Sequence, residues 1–330
     1  MEITRNSSPN DLPKVLILNP LPVYTLYEAE FSQHFHFIKS YESPVPLPIS
    51  LAAANSAGVT VMLIGGYIPI NAKDILDHLP SLRCIVSITA GLNHIDLQEC
   101  HRRGIAVTSA GDTYSDDCAD FAVALLIDIL RKVSSGDHFV RRGDWKIEGL
   151  YCLGRRLSGK TVGIIGLGSI GCRIAKRLEA FGCRILYNSR KEKPSVSYTF
   201  YSDVTELATN SDVIIISCAL TDQTRHMIST EVLSALGKEG VIVNIARGPI
   251  IDEKELVRFL VEGKIAGAGL DVFEKEPNIP KELIAMENVV LSPHAAFLTH
   301  ESFRDIFELV KGNLEAFFSN KPLLSPVMDV

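Results

Sequence analysis

An α/β fold built from two doubly wound parallel sheets is what this sequence predicts, and three observations carry the prediction. Short runs that are apolar on both faces alternate with helical patterns along most of the chain, as parallel strands covered by helices do. One block in the middle reads strand, glycine turn, helix, strand. The length, 330 residues, suggests about two domains.

The first sheet is expected between residues 14 and 109. Lys14-Val-Leu-Ile-Leu18, Val59-Thr-Val-Met-Leu-Ile64, Cys84-Ile-Val-Ser-Ile88 and Ile105-Ala-Val-Thr108 each read as a short buried strand. None is followed by a phosphate-binding glycine turn. Ser115 then opens a helix that reaches about Ser134, with Ser115 as N-cap and Asp116 and Asp117 suiting the positive end of the dipole. Its interior (Ala119, Ala122, Val123, Leu125, Leu126, Ile129, Leu130) is apolar on more than one face. Such a helix is buried on several sides, with a second subunit as one possible cover.

The central block carries the sharper signal. Thr161-Val-Gly-Ile-Ile165 is a strand, Gly166-Leu-Gly168-Ser169-Ile170-Gly171 is the turn, a helix runs to Phe181, and Cys183-Arg-Ile-Leu-Tyr187 is the next strand. That context makes the glycines a Rossmann fingerprint. Gly166 allows the tight turn, Gly168 lets backbone approach a pyrophosphate, and Gly171 lets the helix lie close on the strand. Ser169 and Ile170 begin the helix, whose N-terminus offers free N–H groups to phosphate. A site for NAD usually carries Asp or Glu at the end of the second strand, to bind the ribose 2′-hydroxyl. Here Asn188-Ser189-Arg190-Lys191 stands there instead. A hydroxyl, a guanidinium and an ammonium suit a 2′-phosphate, which predicts NADPH as the preferred cofactor and NADH as the weaker one. The plainer alternative is a solvated turn with two surface charges.

Val213-Ile-Ile-Ile216, Gly240-Val-Ile-Val-Asn-Ile245 and Ala266-Gly-Ala-Gly-Leu270 read as later strands of the same sheet. A helix from Glu301 to Phe318 is expected to return to the first domain. The layout is therefore discontinuous: residues 1–110 and 299–330 form one domain, and residues 111–298 the dinucleotide domain.

Composition narrows the classes of function. Hydrophobic content is 46% and the net charge is −6, with acids and bases interspersed and no basic stripe for nucleic acid. No apolar run approaches a membrane span. Met1 to Pro9 shows neither a signal core nor an Arg-rich amphipathic helix, and Met328-Asp329-Val330 is not a peroxisomal address, so the expected location is cytoplasmic, with a plastid left open. Seven cysteines at no redox or zinc spacing read as free thiols. No histidine has the carboxylate neighbours of a metal site, and His34, His36, His78, His94, His101, His138, His226 and His300 are assigned no role. Trp145, the only tryptophan, reads as core from composition alone.

The reaction is suggested by residues placed after the later strands, where ligands collect in open α/β sheets. Arg247 follows Val-Ile-Val-Asn-Ile-Ala, Asp271 and Glu276 lie in Gly-Leu-Asp271-Val-Phe-Glu-Lys-Glu276-Pro277, and His294 follows Val-Val-Leu-Ser-Pro. With Ala90-Gly91-Leu92-Asn-His-Ile-Asp96, Arg141-Arg-Gly-Asp-Trp145, the glycine fingerprint, Asn244-Ile-Ala-Arg247-Gly248 and Ser292-Pro-His294, these make six ordered motifs over more than 200 residues. From about Ser87 to Pro322 the chain resembles the D-2-hydroxyacid dehydrogenase family, and within it the plant NADPH-dependent hydroxypyruvate/glyoxylate reductases and hydroxyphenylpyruvate reductases.

The resemblance implies a flavodoxin-like substrate domain beside the Rossmann-like dinucleotide domain. It implies reduction of 2-keto acids to D-2-hydroxy acids, foremost hydroxypyruvate to D-glycerate and glyoxylate to glycolate, with 4-hydroxyphenylpyruvate as the alternative. His294 would protonate the forming alkoxide, and Glu276 would fix its tautomer and favour its charged form. Arg247 would bind the substrate carboxylate and polarise the carbonyl. The backbone N–H groups of Ala90, Gly91 and Leu92 would hold the other carboxylate oxygens. Asp271 would orient the nicotinamide carboxamide. Cys218, Ala219, Ile245, Ala246 and Ala296 would line the nicotinamide half, with Thr224 near phosphate. Trp145 would form a pocket wall or a subunit contact. A homodimer is implied by the long apolar helix.

The chain departs from the family at His294-Ala-Ala296-Phe297, where Phe297 stands in place of a common Ser, either capping the pocket or turning away. A reading of a different class also stands open: a dinucleotide-sensing binding module of the corepressor kind, which turnover by the purified protein excludes.

Overall fold

The computed structural model describes residues 12–66 and 68–327. The readings made on Met1 to Pro9 and on Met328-Asp329-Val330 lie outside the described residues. Two compact units are present: residues up to Tyr114 together with those from Thr299 on, and Ser115–Leu298.

The first unit holds five parallel strands: β1 (Lys14–Ile17), β2 (His36–Lys39), β3 (Val61–Ile64), β4 (Cys84–Ser87) and β5 (Ala106–Thr108). Their spatial order is β2-β1-β3-β4-β5, the doubly wound flavodoxin-like order. The strands are shorter than the apolar runs by one or two residues at an end. Val59, for example, is buried but lies before β3 begins. The His300–Phe318 helix belongs to this unit and packs on the Pro22–Phe31 helix, where Phe307 meets Phe31 edge-on at 4.6 Å between centroids. Its start is fixed by a capping box between Thr299 and Ser302. Beyond it, Ser325 donates through its hydroxyl to the carbonyl of Ser109 and Val327 donates to Val107, so the later segment is stitched to β5.

The second unit holds seven parallel strands: β6 (Thr161–Ile165), β7 (Arg184–Asn188), β8 (Thr199–Phe200), β9 (Val213–Ile216), β10 (Val241–Asn244), β11 (Gly267–Leu270) and β12 (Val289–Leu291). Their order is β12-β11-β10-β9-β6-β7-β8. Counted from β6 as the first, this is the Rossmann order, with its switch point between β6 and β9. The central strands β9 and β10 are buried throughout, as their unbroken apolar sequence requires.

The long helix runs Ser115–Arg131 and stops short of the expected Ser134. The reason lies elsewhere in the chain. The carbonyl of Leu130, which a continuing helix would offer to Ser134, accepts from the N–H of Arg155 instead, and Ser134 turns its N–H to the Asp128 carboxylate. Lys132 takes a left-handed φ of 56° at the break, and a second helix follows over Val133–Arg141. Ser115 is the first helical residue and is buried, rather than a cap outside the helix. The helix is covered by its own unit: it packs on β10, β11, β12 and the Ser169–Ala180 helix. Asp116 also takes ion pairs from Arg173 and Arg177 at 3.0 and 3.1 Å. This helix therefore supplies no case for a second subunit. No helix among the described residues is long and apolar enough to cross a membrane.

Candidate active site

The glycine turn at the switch point is shaped by backbone contacts that allow no side chain. Gly166 has a φ of 96°, and a Cβ there would lie 2.5 Å from the Cys218 nitrogen, just past β9. A Cβ on Gly171 would lie 2.1 Å from the Gly166 carbonyl oxygen. Gly168 is different: a Cβ there would meet nothing within 4 Å. Two of the glycines therefore close the turn, and the third faces open space above the N-terminus of the Ser169–Ala180 helix, whose first N–H groups have no intrahelical partner. That cradle fits a pyrophosphate.

The turn after β7 is rigid and basic. Asn188 accepts from the N–H of Gly166 and donates through its amide to the carbonyls of Tyr201 and Ser202. The Ser189 hydroxyl donates to the Lys191 carbonyl at 2.6 Å, curling the turn. Arg190 and Lys191 are exposed, and neither forms an ion pair with a described residue. Cys218 is a neutral thiol, its pKa pushed up to about 11 by burial. Ala219 follows it, and its carbonyl accepts from the Thr224 hydroxyl at 2.8 Å, which ties Thr224 into its own turn.

Three loops at the ends of β10, β11 and β12 bring the charged residues together. The wholly buried Asn244 accepts from the Ala246 N–H and donates to the Arg247 carbonyl, both at 3.0 Å. This bracket turns Ile245, Ala246 and Arg247 out of β10. Gly248 then touches the next loop directly: a Cβ on it would lie 1.9 Å from the carbonyl carbon of Phe273. Burial pulls the pKa of Arg247 down, and the nearby Glu276 charge opposes the shift.

Asp271 is wholly buried at the end of β11. One carboxylate oxygen accepts from the Ser292 hydroxyl at 2.6 Å and from the Ala295 N–H at 2.7 Å. The other accepts from the Ala296 N–H at 3.0 Å, and the Asp271 carbonyl accepts from the His294 N–H at 2.8 Å. Three of a carboxylate's roughly four acceptor sites are therefore taken up by the loop after β12. These bonds hold His294 in a left-handed backbone conformation, with φ at 54°.

Glu276 completes the arrangement. One of its oxygens accepts from the Phe273 N–H at 3.0 Å, and the other meets Nδ1 of His294 at 2.8 Å. Burial raises the Glu276 pKa, but the His294 bond, the Phe273 N–H and the Arg247 charge outweigh it, and the net shift is downward. The carboxylate therefore stays ionised, and it favours a proton on Nδ1 of His294. No described residue bonds Nε2 of His294. Phe297 does not turn away from this group: its ring and the His294 ring meet edge-to-face, 6.0 Å between centroids.

The turn after β4, in the first unit, has its own open donors. The N–H groups of Ala90, Gly91 and Leu92 donate to no described residue, while the Thr89 hydroxyl holds the turn through the Gly91 carbonyl at 2.8 Å.

Residues 123–296 match the D-isomer specific 2-hydroxyacid dehydrogenase NAD-binding domain. The glyoxylate/hydroxypyruvate reductase HPR3 of Arabidopsis thaliana is 48% identical over 96% of this chain and 97% of its own. The chain belongs to the D-2-hydroxyacid dehydrogenase family. The hydroxyphenylpyruvate reductase of Plectranthus scutellarioides is 45% identical over 94% of the chain and 98% of its own. Among solved structures, the NADPH-dependent glyoxylate/hydroxypyruvate reductase of Sinorhizobium meliloti, in complex with NADP and malonate, superposes with a TM-score of 0.87 at 34% identity, covering 96% of each chain. The second unit is thus a nicotinamide-dinucleotide domain, and the chain is an oxidoreductase.

Asn244 and Ser292 lie inside the motifs read from sequence, but position only becomes a role once the loops are seen together. Trp145, at 63% exposure, is not core. Among the described residues no cluster of three or more His, Cys, Asp or Glu is arranged to hold a metal.

Glu276 offers a direct check on the electrostatics. In a carbon NMR titration its carboxyl should titrate below the ordinary glutamate range. In His294→Ala the midpoint should rise, because burial then acts with fewer opposing partners. An unmoved midpoint contradicts the pairing.

Proposed function

We propose that this chain is an NADPH-preferring reductase that converts 2-keto acids to D-2-hydroxy acids, foremost hydroxypyruvate to D-glycerate and glyoxylate to glycolate. The observation that carries the proposal is the His294–Glu276 pair, with Nδ1 bound and Nε2 left without a partner among the described residues. A bound dihydronicotinamide supplies the hydride. The protein's residues supply the rest. Arg247 binds the substrate carboxylate and draws electron density from the keto oxygen, in a site whose burial strengthens the attraction between its charge and an anion. His294, its Nδ1 held by Glu276, gives its Nε2 proton to the oxygen as the carbon gains hydride. It then recovers a proton from water, so the reaction consumes one hydride and one proton for each keto acid.

The first unit is proposed as the substrate domain, with the open N–H groups of Ala90, Gly91 and Leu92 as carboxylate donors. In the dinucleotide domain, the Gly166, Gly168, Ser169 and Ile170 turn is proposed for the pyrophosphate, and Ser189, Arg190 and Lys191 for the 2′-phosphate. Cys218, Ala219, Ile245, Ala246 and Ala296 are proposed for the nicotinamide side. Asp271 is proposed to hold the His294 loop and to orient the nicotinamide carboxamide, and Thr224 to lie near phosphate. The Phe297 ring beside His294 favours a second reading, reduction of 4-hydroxyphenylpyruvate, in which an aromatic side chain packs on that ring.

A homodimer is proposed on a surface other than the long helix. Val133, Val140, Trp145, Ile147, Leu150 and Leu153 are all exposed within one short stretch, with Leu150 at 91%. So much apolar surface in one place marks an interaction site, and a second copy of this chain is the partner proposed. Light scattering should give a dimer mass, and Ile147→Asp with Leu150→Asp should give a monomer. A monomeric wild-type protein contradicts the assignment.

Purified protein should oxidise NADPH with hydroxypyruvate and glyoxylate, and more slowly with NADH. Arg190→Ala should raise KM for NADPH about tenfold or more and leave KM for NADH nearly unchanged, as expected when one bidentate guanidinium–phosphate contact is lost. Equal losses with both cofactors overturn the NADPH assignment. A preference for 4-hydroxyphenylpyruvate selects the second reading. No turnover with any keto acid, in protein that binds NADPH, favours the sensing module.

A further inference from the structure

His226 takes no part in the chemistry above, yet it joins the two loops on which that chemistry depends. It has a left-handed backbone, with φ at 51°, which is uncommon for a residue other than glycine. Its N–H donates to the Pro249 carbonyl at 2.8 Å, two residues past Arg247. The pairing continues from the Ile228 N–H to the Ile250 carbonyl at 3.0 Å and from the Asp252 N–H to the Ile228 carbonyl at 3.1 Å. The backbone of His226 is thereby fixed to the segment that follows Arg247.

Its side chain reaches the other loop. Nε2 of His226 meets an oxygen of Glu274 at 3.1 Å, two residues before Glu276. Glu274 is held a second time, because its N–H donates to the Glu253 carboxylate at 3.0 Å. The loop is held a third time where Gly248 lies against the Phe273 carbonyl with no room for a Cβ. Phe273 is the residue whose N–H binds Glu276. A chain of direct contacts thus runs from His226 through Glu274 and Phe273 to Glu276, and from His226 through Pro249 to Arg247.

We propose that His226 is a positioning residue for the Arg247 and Glu276 pair, a strut that sets the spacing of their two loops through its contacts with Pro249 and Glu274. The inference deepens the reductase reading and rests on it for its kinetic consequences. Glu274 and Glu253 are the acids gathered at the strut, and Lys275 is the cation beside them. Burial and the Glu274 charge raise the pKa of Glu253, against the Glu274 N–H and Lys275. Glu276 itself is faced by His294 and Arg247. Both sides of the His226–Glu274 contact are partly exposed, 42% and 28%, and such pairs add little to global stability. The strut should therefore be felt in the geometry of the site and not in the melting temperature.

The test uses His226→Asn, which keeps a residue tolerant of the left-handed backbone but is too short to reach Glu274. His226→Gln restores an N–H of suitable length, and Glu274→Ala removes the contact from the other side. Hydrogen exchange at the amides of Phe273 and Glu274 should quicken in His226→Asn and Glu274→Ala, with Tm unchanged and NADPH affinity within about twofold. On keto acids kcat should fall about tenfold, within the range that misplacement of a reacting group produces. The acid limb of the pH–rate profile should move to higher pH, because Glu276 loses the contacts that offset its burial. His226→Gln should recover most of both. Unchanged exchange and an unchanged pH limb in His226→Asn and Glu274→Ala overturn the proposal. If the wild-type protein reduces no keto acid, the reductase reading fails, and the exchange measurement still decides whether the strut exists.

Discussion

The buried carboxylate of Asp271 is the constraint on which the rest of the site depends. A carboxylate taken wholly out of water costs several kcal/mol unless donors meet its oxygens. Here a hydroxyl and two backbone N–H groups meet them, and all three come from the loop after β12. The loop cannot shift without leaving that group unsatisfied. His294 sits in the middle of it, with its own N–H on the Asp271 carbonyl. Asp271 is in turn held by its N–H on the Asn244 carbonyl, and Asn244 brackets Arg247 through its side chain. One buried polar network therefore sets the backbone of both His294 and Arg247.

The electrostatics follow from that placement. Glu276 is half-buried and would hold its proton more tightly than usual if left alone. The His294 ring, the Phe273 N–H and Arg247 reverse the tendency. An ionised Glu276 fixes the imidazole so that Nδ1 is protected and Nε2 remains the exchangeable position. The sign matters for pH dependence: because the folded pKa is lowered, the pair is intact above the ordinary glutamate range and is lost only as pH falls through the lowered value. The Phe297 ring meets the imidazole in an edge-to-face contact.

The parts of this architecture set by local pattern were legible in the sequence. The strands β6, β9, β10 and β11 follow from apolar runs, and the glycine turn follows from spacing, because both are consequences of chain geometry over a few residues. Arg247, Glu276 and His294 were marked by their place after strands and by motif order. What was not legible depended on distant partners. The end of the long helix at Arg131 requires Arg155 to claim the Leu130 carbonyl. Nothing in Gly-Leu-Asp-Val announces that the oxygens of Asp271 face Ser292, Ala295 and Ala296. The contact of His226 is equally hidden from local pattern, since Glu274 lies 48 residues further on.

The central claim is that His294, posed by Asp271 and paired with Glu276, donates the proton. The most direct measurement is the turnover number of His294→Ala with hydroxypyruvate, taken together with its NADPH affinity. Loss of a general acid predicts a fall in kcat of about a hundredfold to ten-thousandfold with NADPH binding retained. Turnover within about tenfold of the wild type contradicts the account.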